Sequence, residues 1–294
     1  MVLHSSKRVF GMEIRSVGIV GAGQMGNGIA HVFALAGYEV LLNDVNPEML
    51  GAAIATIDKN MERQVSREKI SAADKAGAMA RIKTSATLAD LGPCDLIIEA
   101  VFEDPKIKAE VTARVEAAVG PDCIYASNTS TLPISMLAKT SQRPDQFIGI
   151  HFFSPVDKMN LVEIIKGAQT GDRAVAKALD FVRAIRKTPI LVNDARFFYA
   201  NRCIIPYLNE GMRMLAEGVE PALIENAAKL VGMPLGPLQL VDETSIDLGV
   251  KIAKATRAAM GEAYPDSAVD AVLFWMADQG RLGKKSNAGF YAYD

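Results

Sequence analysis

The strongest constraint on this chain lies in residues 16–44. Ser16-Val17-Gly18-Ile19-Val20 is a short β-branched run of the kind that forms a strand buried on both faces. It leads directly into Gly21-Ala22-Gly23-Gln24-Met25-Gly26. Met25, Ile29, Val32 and Ala36 then recur at helical spacing, and Gly37 supplies a C-terminal stop. A second strand, Glu39 to Asn43, ends on Asp44. Strand, glycine-rich turn, helix, strand and acid, in that order, form a dinucleotide-binding fingerprint. Gly21 permits the tight turn, Gly23 lets backbone approach a pyrophosphate, and Gly26 lets helix and strand pack closely. Gln24 and Met25 open the helix whose N-terminus would face the phosphates. Asp44, 44 − 21 = 23 positions after the first glycine, would accept hydrogen bonds from the adenosine ribose and repel a 2′-phosphate. That selects NAD over NADP.

The alternation continues beyond the fingerprint. Pro47 to Met79 carries a charged helical pattern with Lys59, Arg63, Arg67 and Lys69 along it. These cations are either a solvated face or a means of meeting the phosphates of a substrate handle. Cys94 to Ile98, Cys123 to Ser127, Phe147 to His151, Leu161 to Ile165 and Pro189 to Val192 read as strands, and Asp172 to Lys187 as a helix. Asp104 and Pro105 suit an N-cap and a first helical position, which leaves Glu103 and Lys108 at the sheet's C-terminal edge, where open α/β sheets bind ligands. The amide and hydroxyls of Asn128, Thr129 and Ser130 suit either a helix cap or a ligand. From Asp194 long helical patterns take over. Phe198, Ile205, Leu208, Met212 and Leu215 form one helical stripe, and Asn201 lies on it as an amide that needs a partner. The expectation is an α/β protein: a Rossmann-type, mostly parallel sheet domain over residues 1–193, then an all-helical C-terminal domain over residues 194–294.

One stretch offers chemistry. Phe147 to Ile165, FIGIHFFSPVDKMNLVEII, puts His151 at the end of one apolar run and Glu163 inside the next. The Ser154-Pro155 turn would fold the second run back beside the first. A neutral histidine accepts a proton near pH 7, and a buried carboxylate can fix its tautomer and favour the imidazolium. The same pair also fits a hydrogen-bonded core histidine beside an incidental acid.

Composition narrows the class. The net charge of −2 gives no footprint for nucleic acid or an anionic membrane, and no apolar run approaches the ~20 residues of a membrane span. Cys94, Cys123 and Cys203 match no metal spacing, so free thiols, no metal and a cytoplasmic location are expected. The leader MVLHSSKRVFGMEIR lacks the apolar core of a signal peptide and reads as a ragged start.

VGIVGAGQMGNGIA, EAVFED, ASNTSTLPI, HFFSPV followed by LVEII, ANR, MPLGPLQLVD and LGKKSNAGFY occur in order from Val17 to Tyr291. Together they resemble the L-3-hydroxyacyl-CoA dehydrogenases. The wording of the second half is most similar to the dehydrogenase segment of bacterial multifunctional fatty-oxidation α subunits. The resemblance implies NAD-linked oxidation of an (S)-3-hydroxyacyl-CoA to the 3-oxoacyl-CoA, or its reverse. It implies His151 as the catalytic base and Glu163 as its electrostatic partner, with Ser130 and Asn201 holding the reacting oxygen and the histidine. It implies that Asp44, Glu103, Lys108, Ser130 and Lys285 contact NAD, that the helix bearing Thr56 and Arg63 binds CoA, and that two copies pair through the helical domain. Three departures stand out: Thr56 and Arg63 where the family often has Ser and Lys, Arg196-Phe197-Phe198 where relatives commonly have Pro-Gly-Phe, and Ser154 where HFFNPV is common. Two other readings stay open: a gulonate-like 3-hydroxy acid dehydrogenase that needs no CoA, and a non-catalytic NAD-binding protein of the crystallin type.

Overall fold

Alternate side chains of a strand point to opposite faces of its sheet, so strands apolar at every position need cover on both sides. A computed structural model of the chain, which describes residues 14–264 and 268–293, has that arrangement. The leader up to Glu13 lies outside the described residues, and so does Asp266, from which the sequence pattern predicts a last helix to Gln279. Eight strands form one sheet: β1 (Ser16–Val20), β2 (Glu39–Asn43), β3 (Ile82–Ser85), β4 (Leu96–Glu99), β5 (Ile124–Ser127), β6 (Phe147–Phe152), β7 (Leu161–Lys166) and β8 (Thr188–Asn193). Their order is β3-β2-β1-β4-β5-β6-β7-β8. Every pair is parallel except β6 with β7. The strand order reverses between β1 and β4, the switch point where such sheets bind ligands at their C-terminal ends.

On one face Ile19, Leu42, Ile98, Ile150 and Ile164 pack with Ile29, Phe33, Ile57 and Phe181. The last four come from α1 (Gln24–Leu35), α2 (Pro47–Val65) and α6 (Asp172–Ala184). On the other, Ile97, Tyr125, Phe147 and Ile165 pack with Val115 of α4 (Pro105–Ala118) and Ile134 of α5 (Ile134–Leu137).

Three local features differ from the sequence expectation. The helix expected over 47–79 is two helices, α2 and α3 (Ala72–Arg81), because Ser71 starts the second with a capping box: its hydroxyl accepts from Asp74 N at 3.0 Å and Asp74 accepts from Ser71 N at 2.9 Å. β3 gave no signal, since Ile-Lys-Thr-Ser is short and polar and pairs only with β2 at the sheet edge. Phe198, expected on the first helical stripe of the second half, lies before that helix. Its φ is +50°, Phe197 has φ +68°, and its ring is buried against the sheet's second core. A bulky residue in this left-handed region costs about 1–2 kcal/mol, offset here by burial of the Phe198 ring.

The chain divides into two compact units between Tyr199 and Ala200. The second is helical: α7 (Ala200–Ala216), α8 (Pro221–Leu230), α9 (Pro237–Thr244), α10 (Ile246–Met260) and α11 (Ala268–Asp278). Met212, Ile224, Leu238, Val241 and Leu273 form its core. The buried Asp242 carboxylate accepts from Phe290 N (2.8 Å), Tyr291 N (3.0 Å) and the Tyr293 hydroxyl (2.8 Å), fixing the tail to α9. Among the described residues no helix is long and apolar enough to cross a membrane.

His31, on α1, is 1% exposed. Burial lowers its pKa below the ordinary 6.5, reinforced by the charge of Lys187 and opposed by Asp157 and Gln64. With the folded value below the unfolded one, the unfolded chain takes up the proton first, so stability is lost as pH falls below about 6.5. Thermal melts from pH 7.5 to 5.5 should therefore show a shallower fall in Tm for His31→Gln than for the wild type. Equal slopes would remove His31 as the cause.

Candidate active site

The glycine turn after β1 is held by close approach. Gly21 has φ +103°, and a Cβ there would lie 2.7 Å from Ala100 O. A Cβ on Gly26 would overlap the Gly21 carbonyl, so helix and strand touch only because Gly26 has no side chain. Gly23 has no protein atom within 4 Å of such a Cβ. The open side there, and the N-terminus of α1 with no side-chain cap, fit a bound pyrophosphate. Gln24 and Met25 open that helix. Asp44 is fixed by backbone donors: Oδ2 accepts from Ala22 N at 2.8 Å and Oδ1 from Asn46 N at 2.9 Å. Each oxygen keeps a lone pair for a ribose hydroxyl.

A carboxylate joins the loops after β4 and β5. Glu103 Oε1 accepts from the Thr129 hydroxyl (2.6 Å), Ser130 N (2.9 Å), Thr131 N (3.0 Å) and the Thr131 hydroxyl (3.1 Å). Burial alone would raise its pKa; the charge of Lys108 and these hydrogen bonds outweigh it and hold the carboxyl below the usual range. Lys108 sits beneath this junction rather than at the open edge. It is 2% exposed, and its ammonium donates to Glu99 Oε1 at 2.7 Å and lies 3.4 Å from Glu103 Oε2. Glu99 also accepts from Val101 N and the Ser127 hydroxyl, both at 2.8 Å. Sequence reasoning missed Glu99; the signal was an acid closing an otherwise apolar strand. Of the three polar residues at the end of β5, Thr129 accepts from Leu132 N (3.0 Å), Asn128 accepts from Phe152 N (2.9 Å), and Ser130 is half-buried in the Glu103 turn.

His151 and Glu163 are direct partners in the antiparallel ladder of β6 and β7. The Ser154-Pro155 loop returns the chain as expected, and imidazole Nδ1 stands 2.7 Å from Glu163 Oε2. Both side chains are buried, and Glu163 Oε1 accepts from Tyr199 N at 3.0 Å. The rings of Phe153 and Phe198 lie 4.4 Å and 6.0 Å from the imidazole, centroid to centroid. With Nδ1 held by the carboxylate, Nε2 is the nitrogen left to exchange a proton with a substrate. This arrangement suits a general base kept in one tautomer beside apolar walls.

The other expected site residues are placed elsewhere. Thr56 and Arg63 are exposed on α2, seven residues and so about 10 Å apart on one face. The Thr56 hydroxyl donates to Ala52 O (2.8 Å) and Arg63 to Asn60 Oδ1 (2.6 Å). Asn201, in the first turn of α7, and Lys285, paired with Asp247, belong to the helical unit. Among the described residues no cluster of three or more His, Cys, Asp or Glu is arranged to hold a metal ion.

Removing one partner of a buried ion pair leaves the other charge uncompensated, at a cost of roughly 3–5 kcal/mol. Lys108→Met should destabilise the protein by about that much in urea denaturation. The double variant Lys108→Met, Glu99→Gln should recover part of the loss. A Lys108→Met protein of wild-type stability would contradict the network.

Comparisons with known proteins identify the family. The family model for the 3-hydroxyacyl-CoA dehydrogenase NAD-binding domain matches residues 16–195, and that for the C-terminal domain of the same enzymes matches residues 198–293. (S)-3-hydroxybutyryl-CoA dehydrogenase PaaH1 from Ralstonia eutropha is 37% identical with a TM-score of 0.90, over 96% of this chain and 100% of that one. FadB2 from M. tuberculosis is 35% identical with a TM-score of 0.89, over 96% and 99%. A 3-hydroxybutyryl-CoA dehydrogenase from Escherichia coli K12 is 31% identical with a TM-score of 0.90, over 96% of this chain and 60% of that one. The chain belongs to the 3-hydroxyacyl-CoA dehydrogenase family and is an NAD-dependent dehydrogenase.

Proposed function

We propose that this enzyme interconverts (S)-3-hydroxyacyl-CoA and 3-oxoacyl-CoA, with His151 as base in oxidation and acid in reduction. The observation that carries the reading is the buried 2.7 Å contact between His151 Nδ1 and Glu163 Oε2. Glu163 holds the ring so that Nε2 takes the proton of the substrate hydroxyl, and its negative charge stabilises the imidazolium that results. NAD, when bound, would supply the hydride acceptor for C3. The Gly21 to Gly26 turn, the N-terminus of α1 and Asp44 would hold the dinucleotide, and Glu103 shapes the Ser130 turn. Lys285 is assigned a further contact to the cofactor. Ser130 and Asn201 hold the reacting oxygen and the histidine. The apolar surroundings of the ring keep water from competing for the proton.

Thr56 and Arg63 are assigned to the CoA handle: a hydroxyl and a guanidinium on one exposed helix face suit its phosphates. CoA binding then supplies energy for orientation rather than chemistry. We place a homodimer contact on the helical unit, where Leu223, Leu230, Val231 and Trp275 are exposed. The free thiols of Cys94, Cys123 and Cys203 fit a reducing compartment, in line with a cytoplasmic enzyme.

Nicotinamide absorbance assays with acetoacetyl-CoA, with acetoacetate and with no substrate test the reading. NADH should be oxidised with acetoacetyl-CoA and far more slowly with acetoacetate. Equal rates would favour the CoA-independent acid dehydrogenase, and no turnover with either would favour a non-catalytic protein. His151→Ala should slow turnover by roughly 10²–10⁴-fold with NADH affinity kept; unchanged turnover would exclude His151 as the base.

A further inference from the structure

The loop of residues 153–160 joins the strand that carries His151 to the strand that carries Glu163, so its seating decides where the pair can point. Its own backbone closes a turn, with Lys158 N and Met159 N both donating to Pro155 O at 3.0 Å. Two carbonyls of this loop, Val156 O and Met159 O, accept from one donor: the Lys187 ammonium, at 2.5 Å to each. Lys187 is 8% exposed. No carboxylate lies within 4 Å of its ammonium among the described residues. Asp157 acts on it only as a nearby charge that partly offsets the effect of burial. A buried cation directed at two loop carbonyls instead of a carboxylate is costly unless those contacts are needed.

Lys187 is itself rigidly placed. It follows α6 with its N–H donating to Val182 O at 3.1 Å, and the next residue opens β8 by donating from Thr188 N to Asn160 O at 2.8 Å. The loop also rests on the dinucleotide-binding helix. Gln24 Nε2 donates to the Ser154 hydroxyl at 2.9 Å, and a Cβ on Gly28 would come within 2.8 Å of Val156 Cβ. Lys187 and α1 therefore both hold the loop, and Phe153 at its start packs against the imidazole.

We infer that Lys187 is a positioning residue: by holding Val156 O and Met159 O it seats the 153–160 loop on α1 and sets the direction of the His151 ring relative to the cofactor-binding turn. The inference rests on the reading of His151 as the base. It separates two jobs on one unit, since the glycine turn binds dinucleotide without Lys187 whereas proton transfer needs the ring held in place.

Lys187→Met keeps length and removes the donors. It should lower kcat with acetoacetyl-CoA by about 10–100-fold, because small misplacements of a catalytic group carry costs of that order. The dissociation constant for NADH should change less than about twofold. Rates are scaled to the folded fraction from circular dichroism melts, so that lost stability alone would leave kcat per folded molecule unchanged. Lys187→Arg, which keeps a cation and donors, should recover part of kcat; it also serves as the variant if the methionine form does not fold. A readout that needs no turnover accompanies these. The His151 ring resonances should shift in the Lys187 variants, and the amides of Gly21 and Ala22, which bond to Asn43 and Asp44 and not to the loop, should not. A folded Lys187→Met protein with wild-type kcat and an unmoved His151 signal would overturn the inference. An inactive wild type would instead sink the proposed reaction and leave the ring resonances to decide the role of Lys187.

Discussion

The site depends on a single cross-strand pair. β6 and β7 are the only antiparallel neighbours among the described strands, and that reversal lets residues 151 and 163 stand opposite each other. In a parallel pairing the connection would have to cross over the sheet, and a loop of residues 153–160 is too short for that. The reversal thus brings an imidazole and a carboxylate together at the same end of the sheet as the glycine turn. Their contact at 2.7 Å then fixes which ring nitrogen faces outward.

Around this pair the protein uses buried charge to fasten loops rather than to add stability for its own sake. Glu99, Lys108 and Glu103 link the end of β4 to the turn after β5 through an ion pair and a set of backbone donors. Lys187 fastens the hairpin loop through carbonyls, and Asp44 fastens the glycine turn to the end of β2. Each is a polar side chain reaching across chain segments far apart in sequence. Loops at the C-terminal edge of an α/β sheet have few apolar neighbours to hold them, so directional bonds do that task.

Much of this was legible in the sequence because the features were local. The glycines at 21, 23 and 26 declare a turn and a close approach, and the two apolar runs around Ser154-Pro155 declare a hairpin that fixes its own register. What was hidden depended on tertiary context. The edge strand at Ile82–Ser85 carries no apolar alternation, since only β2 pairs with it. Phe198 was assigned to the helical stripe on spacing, yet it turns back at positive φ to cover the sheet beside His151. Lys108 is expected from sequence at the ligand-binding edge of the sheet, and its burial is not foreseen because nothing in its neighbourhood announces Glu99 nine positions earlier as its partner. Lys187 carried no signal at all: a lysine that donates to two distant carbonyls looks like any lysine at the end of a helix.

The central claim is that the carboxylate at 163 steadies the imidazole at 151 as it gains and loses a proton. The most direct measurement is the pH dependence of kcat for hydroxyacyl-CoA oxidation in the wild type and in Glu163→Gln. Removing the negative charge should lower kcat and move the acidic limb of the profile toward lower pH, because the charged ring loses its stabilising partner. A Glu163→Gln enzyme whose profile overlays that of the wild type would contradict the account.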